Sequence, residues 1–291
     1  MARSFIDRID AIDPHTKGTY SAPHKPLYLL YLLSQVQKRE ERLIHIDDIE
    51  VPLKSALQNF GGKKDTFQYP FWRLQNSDLA EVSPNGAEAY QLRQGSKDPN
   101  LSSMRENNAH GGLLAEDFEE LKLDNRLHAQ AVHRILDTFF PTSIHEDIIH
   151  HFEIELDHPR RQNQSTSDAE FRDRVLVAYS HRCAISGFYA EPLENTAGLE
   201  AADVIWRSSF GPGDVTNGIA MSSLHRRLFH LGYFTVDGEY QIQVADELGE
   251  RGARIGLEAR NPLRVIPPED SLPCLDSLQW HWNNVFRGAL S

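Results

Sequence analysis

The chain has 291 residues and a formal net charge of −12 at pH 7; 40% of the residues are hydrophobic and 25% are charged. These values are typical of a globular protein with room for two domains, and the acidic excess disfavours nucleic-acid binding unless cations cluster locally. The longest apolar run, 27–33, is too short to cross a bilayer, and the N-terminus has no apolar signal core. Two isolated cysteines fit a reducing compartment, so we expect a cytoplasmic protein without a membrane segment.

The first predicted elements are two helices. Residues 26–38 are rich in leucine and tyrosine, which favours a buried helix, and Pro26 fits its first turn. Residues 46–59 place apolar side chains at helical spacing, and the glycines at 61 and 62 predict a turn after them. An aromatic cluster follows, with Phe67, Tyr69, Phe71 and Trp72.

Further along the chain, strands 79–82 and 89–92 are predicted to form a hairpin around a turn at Pro84-Asn85-Gly86. Residues 126–140 and 144–152 have the pattern of helices, and Pro141 separates them. Residues 158–168 are polar and show no periodicity, which predicts a linker between two domains.

The segment 199–235 predicts a short strand, a Gly/Pro loop, an Asn-Gly turn and a helix. In that order it carries Asp203, Asn217 and His225. This arrangement resembles the ββα-metal core of the HNH endonuclease family. The resemblance implies phosphodiester cleavage, with a general base, an asparagine that orients the site and a helix histidine that binds a divalent metal, Mg or Mn. In this chain Asp203 and His225 would be the metal ligands.

The chain departs from the HNH pattern at three positions. Asp203 stands where relatives carry the first histidine, Arg226 where their helix histidine lies, and His230 where they commonly carry aspartate. Asp203 could be a carboxylate base, weaker than histidine because its ordinary pKa is roughly 3.9, or a hard oxygen ligand. The third alternative is that the site has decayed.

A second resemblance covers the N-terminal half. The segments APHKPLYLL (22–30) and YPFWRL (69–74) resemble the sulfur-binding domain of phosphorothioation-dependent restriction endonucleases, and FRDRVLVAYSHRCAISG (171–187) resembles the start of their HNH half. Sulfur is larger and less well hydrated than oxygen, so an apolar cup selects it while nearby cations hold the phosphate. The resemblance implies a pocket at Tyr69, Pro70 and Arg73. It implies further DNA contacts near Tyr20, Ser21, His24 and Lys25.

Together these observations predict an α+β protein with a mostly helical DNA-reading domain at 1–157, a linker at 158–168 and an HNH-like ββα-metal domain at 169–291. The predicted function is a modification-dependent, type IV-like restriction endonuclease that cleaves phosphorothioated double-stranded DNA as a homodimer. The alternative is a non-catalytic reader of modified DNA with a degenerate HNH domain. A nuclease directed at a methylated base is a third option, which would need an aromatic cage for a flipped base.

Overall fold

The computed structural model describes residues 3–12, 16–17, 20–21, 23–61, 66–156, 166–189, 198–209 and 211–288, and at 16, 17, 20, 21, 87, 166, 167 and 208 only the backbone. It divides into two compact units. Unit 1 comprises residues 1–16, 21–139 and 145–160, and unit 2 comprises 17–20, 140–144 and 161–291. No described helix is long and apolar enough to cross a membrane.

Unit 1 is mainly helical. Its helices are α1 (Phe5–Asp10), α2 (His24–Val36), α3 (Ile46–Phe60), α4 (Gln68–Arg73), α5 (Leu101–Glu106), α6 (Ala115–Leu123), α7 (Asn125–Phe139) and α8 (His145–Phe152). Its strands are β3 (Ile44–His45), β4 (Ala80–Ser83) and β5 (His110–Leu113); the two-residue strands β1 (Thr16–Lys17) and β2 (Tyr20–Ser21) precede α2 and pair with each other.

The helices predicted at 26–38, 46–59, 126–140 and 144–152 are confirmed as α2, α3, α7 and α8, with ends shifted by one or two residues. α2 is buried almost all round, because its leucines pack inside the unit: Leu27, Leu29, Leu30 and Leu33 have no exposed surface. α3 begins after His45, whose ring accepts a hydrogen bond from the Asp47 backbone N–H. The core of unit 1 therefore forms around α2, which α3, α4 and α7 contact.

The predicted hairpin is wrong. β4 pairs antiparallel with β5, about thirty residues later in the chain, and β5 also pairs with β3. Residues 89–92 contribute only an isolated bridge between Leu92 and Pro99. β5 fits between its neighbours because it contains two glycines: a Cβ at Gly112 would lie 1.9 Å from the Arg42 carbonyl oxygen. Glycine is depleted in strands, so the HGGL sequence does not predict one.

Unit 2 contains a ββα arrangement. Its helices are α9 (Thr166–Ala178), α10 (Ser223–His230) and α11 (Leu275–Asn284), and its strands are β6 (Leu199–Asp203), β7 (Gly218–Ser222), β8 (Phe234–Val236) and β9 (Ile242–Val244). β6 pairs antiparallel with β7, with Asp203 opposite Gly218, and α10 follows β7 directly. The core contains Val175 and Leu176 from α9, Tyr179 just after it, and Phe229 from α10. The described elements of both units thus form an α+β fold.

The predicted linker at 158–168 lies mostly outside the described residues. Its last three positions, 166–168, belong to α9, so the helix begins earlier than the polar composition indicates. Unit 2 begins at residue 161 in this part of the chain. A 3-10 turn, Thr142–Ile144, precedes α8, and residues 140–144 are grouped with unit 2.

Candidate functional site

Three side chains of unit 1 form a cationic aromatic cluster at α4. The guanidinium carbon of Arg73 lies 5.0 Å from the ring centre of Tyr69, and that of Arg93 lies 5.1 Å from the same ring. Tyr69 is half-buried, and Arg93 is exposed on the loop that follows β4. Two guanidinium groups on one phenol ring make a local positive surface on an acidic protein, held by cation–π attraction.

Asp98 fixes one of the two arginines. Its carboxylate accepts hydrogen bonds from Arg73 Nε at 3.1 Å and from Arg73 Nη2 at 2.6 Å, and its side chain is almost completely buried. The hydrogen bond from Arg73 lowers the pKa of Asp98, and the same bond raises the pKa of Arg73. The backbone N–H of Arg93 donates to the Asp98 carbonyl oxygen at 2.9 Å. Asp98 therefore ties the loop that carries Arg93 to the helix that carries Tyr69.

The residues next to Tyr69 form the apolar side of this cluster. Pro70, Phe71 and Trp72 are all buried, and the Trp72 ring lies edge-on to Tyr90 at 5.3 Å. Pro70 lies within α4, directly after Tyr69 in the chain. Two guanidinium groups, one of them paired with Asp98, therefore contact a half-buried phenol ring that is followed in α4 by three buried apolar side chains.

Of the other predicted DNA contacts, the structure describes His24 and Lys25 with their side chains, and Tyr20 and Ser21 by their backbone alone. His24 and Lys25 lie in the first turn of α2, and His24 Nε2 is 3.1 Å from the Gly61 carbonyl oxygen. α2 packs against α4, with the rings of Tyr28 and Phe71 6.0 Å apart. Tyr20 and Ser21 form β2, and their side chains lie outside the described part of the chain.

In unit 2, Asp203 ends β6 and contacts His230 of α10. His230 Nε2–H donates to the Asp203 carbonyl oxygen at 3.2 Å and lies 3.4 Å from Asp203 Oδ1, while His230 Nδ1 accepts from the Ser143 hydroxyl at 2.6 Å. Burial lowers the pKa of His230 to about 3, so its ring is neutral. Burial also raises the pKa of Asp203, against the opposing charges of Arg226 and Arg207.

Asn217 holds the loop between β6 and β7. Its side chain is fully buried; its Oδ1 accepts from the Ile205 N–H at 2.9 Å, and its Nδ2 donates to the carbonyl oxygens of Ile205 and Pro212 at 3.0 and 3.1 Å. A Cβ at Gly211 would lie 2.0 Å from the Ile205 carbonyl oxygen, so this loop folds tightly on itself. The hydrogen bonds of Asn217 explain how the Gly/Pro segment returns to β7.

His225 belongs to a different cluster from Asp203. Its Nε2–H donates to the Ile255 carbonyl oxygen at 2.7 Å, and its Nδ1 lies 2.8 Å from Ser222 Oγ and 3.4 Å from Cys183 Sγ. Burial acts to raise the pKa of Cys183, but the hydrogen bonds from His225 and Ser186 outweigh it and lower that pKa to about 6. Burial acts to lower the pKa of His225, and the bonds to Cys183 and Ile255 reverse that shift.

The donor set of unit 2 does not fit a divalent metal held by Asp203 and His225. Both ring nitrogens of His225 are used by protein partners, and Asp203 accepts from His230 and from the Arg207 N–H. Among the residues that the structure describes, no group of three or more His, Cys, Asp or Glu side chains is placed to hold a metal ion. Divalent ions need several such ligands at once.

Sequence reasoning missed Arg93, Asp98 and His230 as members of these clusters. Arg93 and Asp98 lie in a Gly/Ser/Pro-rich loop, QLRQGSKDPN, where the composition predicts a turn but no partner. His230 is 27 residues from Asp203, and the packing of α10 against β6 brings the two together. The one signal for His230 in the sequence was the exchange of acid and histidine between positions 203 and 230 relative to the HNH pattern.

Comparison with known proteins identifies the N-terminal half. The sequence profile of the ScoMcrA-like DNA sulfur-binding domain matches residues 2–157, more than half of the chain. The sulfur-binding domain of ScoMcrA, solved with phosphorothioated DNA, is 23% identical, with 52% of this chain and 99% of that chain covered and a TM-score of 0.46. The corresponding domain of SprMcrA, also solved with phosphorothioated DNA, is 15% identical, with coverage of 52% and 92% and a TM-score of 0.43.

The type IV phosphorothioation-dependent restriction endonuclease ScoMcrA is 23% identical, with a TM-score of 0.46. The match covers 61% of this chain but only 39% of that endonuclease, so the greater part of the larger protein has no counterpart in the match. No curated protein gives a significant match.

Proposed function

Because the chain belongs to the ScoMcrA-like DNA sulfur-binding domain family, we propose that it recognises phosphorothioated double-stranded DNA through unit 1. The observation that carries the proposal is the cluster at α4, where Arg73 and Arg93 lie over the Tyr69 ring beside buried Pro70. An apolar wall favours sulfur over oxygen, and the adjacent cation holds the remaining charge of the phosphate.

Arg73 and Arg93 have different roles in this proposed recognition. Asp98 neutralises Arg73, so Arg73 keeps the ring of Tyr69 in place more than it adds positive charge. Arg93 is exposed on the same ring, and it is the side chain best placed to meet a phosphate. His24 and Lys25 carry further positive or titratable groups on α2, which packs against α4.

A gel shift tests this proposal. The full chain is mixed with two duplexes of the same sequence, one with a sulfur in place of a non-bridging oxygen at a single linkage and one without it, at fixed salt. We expect the sulfur-containing duplex to shift at lower protein concentration. If both duplexes shift together, unit 1 does not read sulfur.

Metal-dependent cleavage by unit 2 is the second candidate function. The observation in its favour is the order β6, β7 and α10, with Asp203 at the end of β6. A homodimer would allow both DNA strands to be cut. Incubation of the full chain with the same two duplexes, with and without Mn²⁺, tests it: products that require the metal and the sulfur support a restriction endonuclease, and intact duplexes support the non-catalytic reader.

A further inference from the structure

Arg226 on α10 forms an ion pair with a carboxylate of β6. Its Nη1 forms an ion pair with Glu200, and its Nη2 donates to Thr142 Oγ1 at 3.1 Å. Its positive charge also acts on the buried carboxylate of Asp203. The Arg226 side chain is only 15% exposed, so its guanidinium group is a built-in part of this cluster.

The ring nitrogens of the neighbouring histidines are already engaged by protein partners and do not serve as metal ligands. His230 donates to Asp203 and accepts from Ser143, so both of its ring nitrogens are used within unit 2. His225 binds Ile255 and Ser222 in a separate cluster. A metal ion at Asp203 would therefore have one partly screened carboxylate and no imidazole.

Charge balance also argues against a divalent ion at Asp203. The buried carboxylate of Asp203 and the half-buried carboxylate of Glu200 need positive partners, and either a divalent ion or a guanidinium group can supply that charge. The guanidinium group of Arg226 is already present beside β6 and is held by Glu200 and Thr142. A divalent ion added beside it would be repelled by the fixed charge of Arg226 and would lack the ligand number that such ions require.

We propose that Arg226 is the resident cation of the ββα arrangement and that unit 2 holds no divalent metal at Asp203. The positive charge that a metal would supply is provided by an arginine side chain that cannot dissociate. Unit 2 is then a metal-independent module, whether or not unit 1 reads sulfur.

The first test measures metal on the full-length protein. Bound Mn²⁺ is determined by electron paramagnetic resonance, and melting temperatures are compared in Mn²⁺ and in chelator. We expect the same melting temperature in both solutions. Mn²⁺ that binds elsewhere on this acidic chain, and that Asp203→Asn does not remove, agrees with the proposal. One equivalent of Mn²⁺ that stabilises the wild type and is lost in Asp203→Asn overturns it.

The second test measures Arg226 itself in the presence of chelator. Arg226→Gln removes the ion pair of Glu200 and one of the two arginine charges that act on Asp203, and we expect the melting temperature to fall by about 5 °C. Glu200→Gln added to Arg226→Gln should recover part of that loss, because one uncompensated carboxylate is removed, and Arg226→Lys should lose less than Arg226→Gln. An Arg226→Gln protein that melts with the wild type overturns the proposal. If Arg226→Gln does not fold, Arg226→Lys and the wild-type metal measurement still decide.

Discussion

Arg73 and Arg93 contact the same tyrosine ring, yet we expect them to contribute differently to DNA binding. The bidentate pair with Asp98 cancels the charge of Arg73. Arg93 is exposed and contacts Asp98 through its backbone N–H. If Arg93 binds a phosphate, Arg93→Ala removes one phosphate contact and makes DNA binding less dependent on salt. Arg73→Ala also leaves the Asp98 carboxylate without its ion-pair partner.

The size of the effect follows from counterion release. Each phosphate contact contributes about 0.9 to the slope of log affinity against log salt, so Arg93→Ala should flatten the slope by about that amount. Over a fourfold rise in salt, this equals about a 3.5-fold smaller loss of affinity than in the wild type. Arg73→Ala instead uncovers the buried Asp98 carboxylate next to the DNA, and we expect weaker binding to any duplex.

Fluorescence anisotropy with a labelled duplex over a salt series measures both slopes on the full chain, and thermal melting checks that each variant is folded. The matched control is Arg73→Ala combined with Asp98→Asn, which removes the pair together. We expect this double variant to bind better than Arg73→Ala and to keep a slope near that of the wild type. A double variant whose slope falls as far as that of Arg93→Ala would refute the reasoning, because Arg73 would then be a phosphate contact.

The remaining predictions concern the pocket, the pH dependence and the ββα cluster. Tyr69→Ala or Pro70→Ala should remove the preference for sulfur while plain-duplex binding changes little, which anisotropy with the matched duplexes measures. The pKa of His230 is lowered to about 3 in the folded state, so its contribution to stability is present above its ordinary pKa and is lost as the pH falls. We expect urea denaturation to show a loss of roughly 2 kcal/mol from this residue at pH 5, and His230→Gln to flatten that dependence. We expect no Mn²⁺-dependent cleavage at Asp203; Mn²⁺-dependent cleavage that Asp203→Ala and His225→Ala each abolish, while DNA binding is spared, would contradict the absence of a metal there, and cleavage that survives in the double variant would place catalysis elsewhere in the chain.

Local sequence features were sufficient for the long helices of unit 1. α3 carries its apolar residues at helical spacing and α2 is a long leucine-rich segment, and both features are local properties that one sequence reveals. β5 could not be found in that way, because its glycines serve the close approach of neighbouring backbones rather than any local preference. The hairpin prediction failed for the same reason: β4 pairs with a distant strand, and only tertiary packing selects it.

The candidate sites also contain some contacts that follow from local sequence and others that depend on tertiary packing. Tyr69 and Arg73 are one helical turn apart, so their contact follows from the helix itself. Arg93 and Asp98 reach that contact from a loop, and His230 reaches Asp203 because α10 packs against β6, so these partners depend on long-range geometry. The sequence did indicate that position 203 departs from the HNH pattern, but it did not indicate that Arg226 would supply the local positive charge.

The most direct test of the central claim is the ratio of two dissociation constants, for duplexes that differ by one sulfur atom, measured by anisotropy on the wild-type chain at several salt concentrations. Discrimination by an apolar wall at Pro70 and Tyr69 does not depend on counterions, whereas the affinity for either duplex does. We therefore predict that both affinities fall with salt while the ratio stays constant and favours sulfur. A ratio of one at every salt concentration would contradict sulfur recognition by this chain.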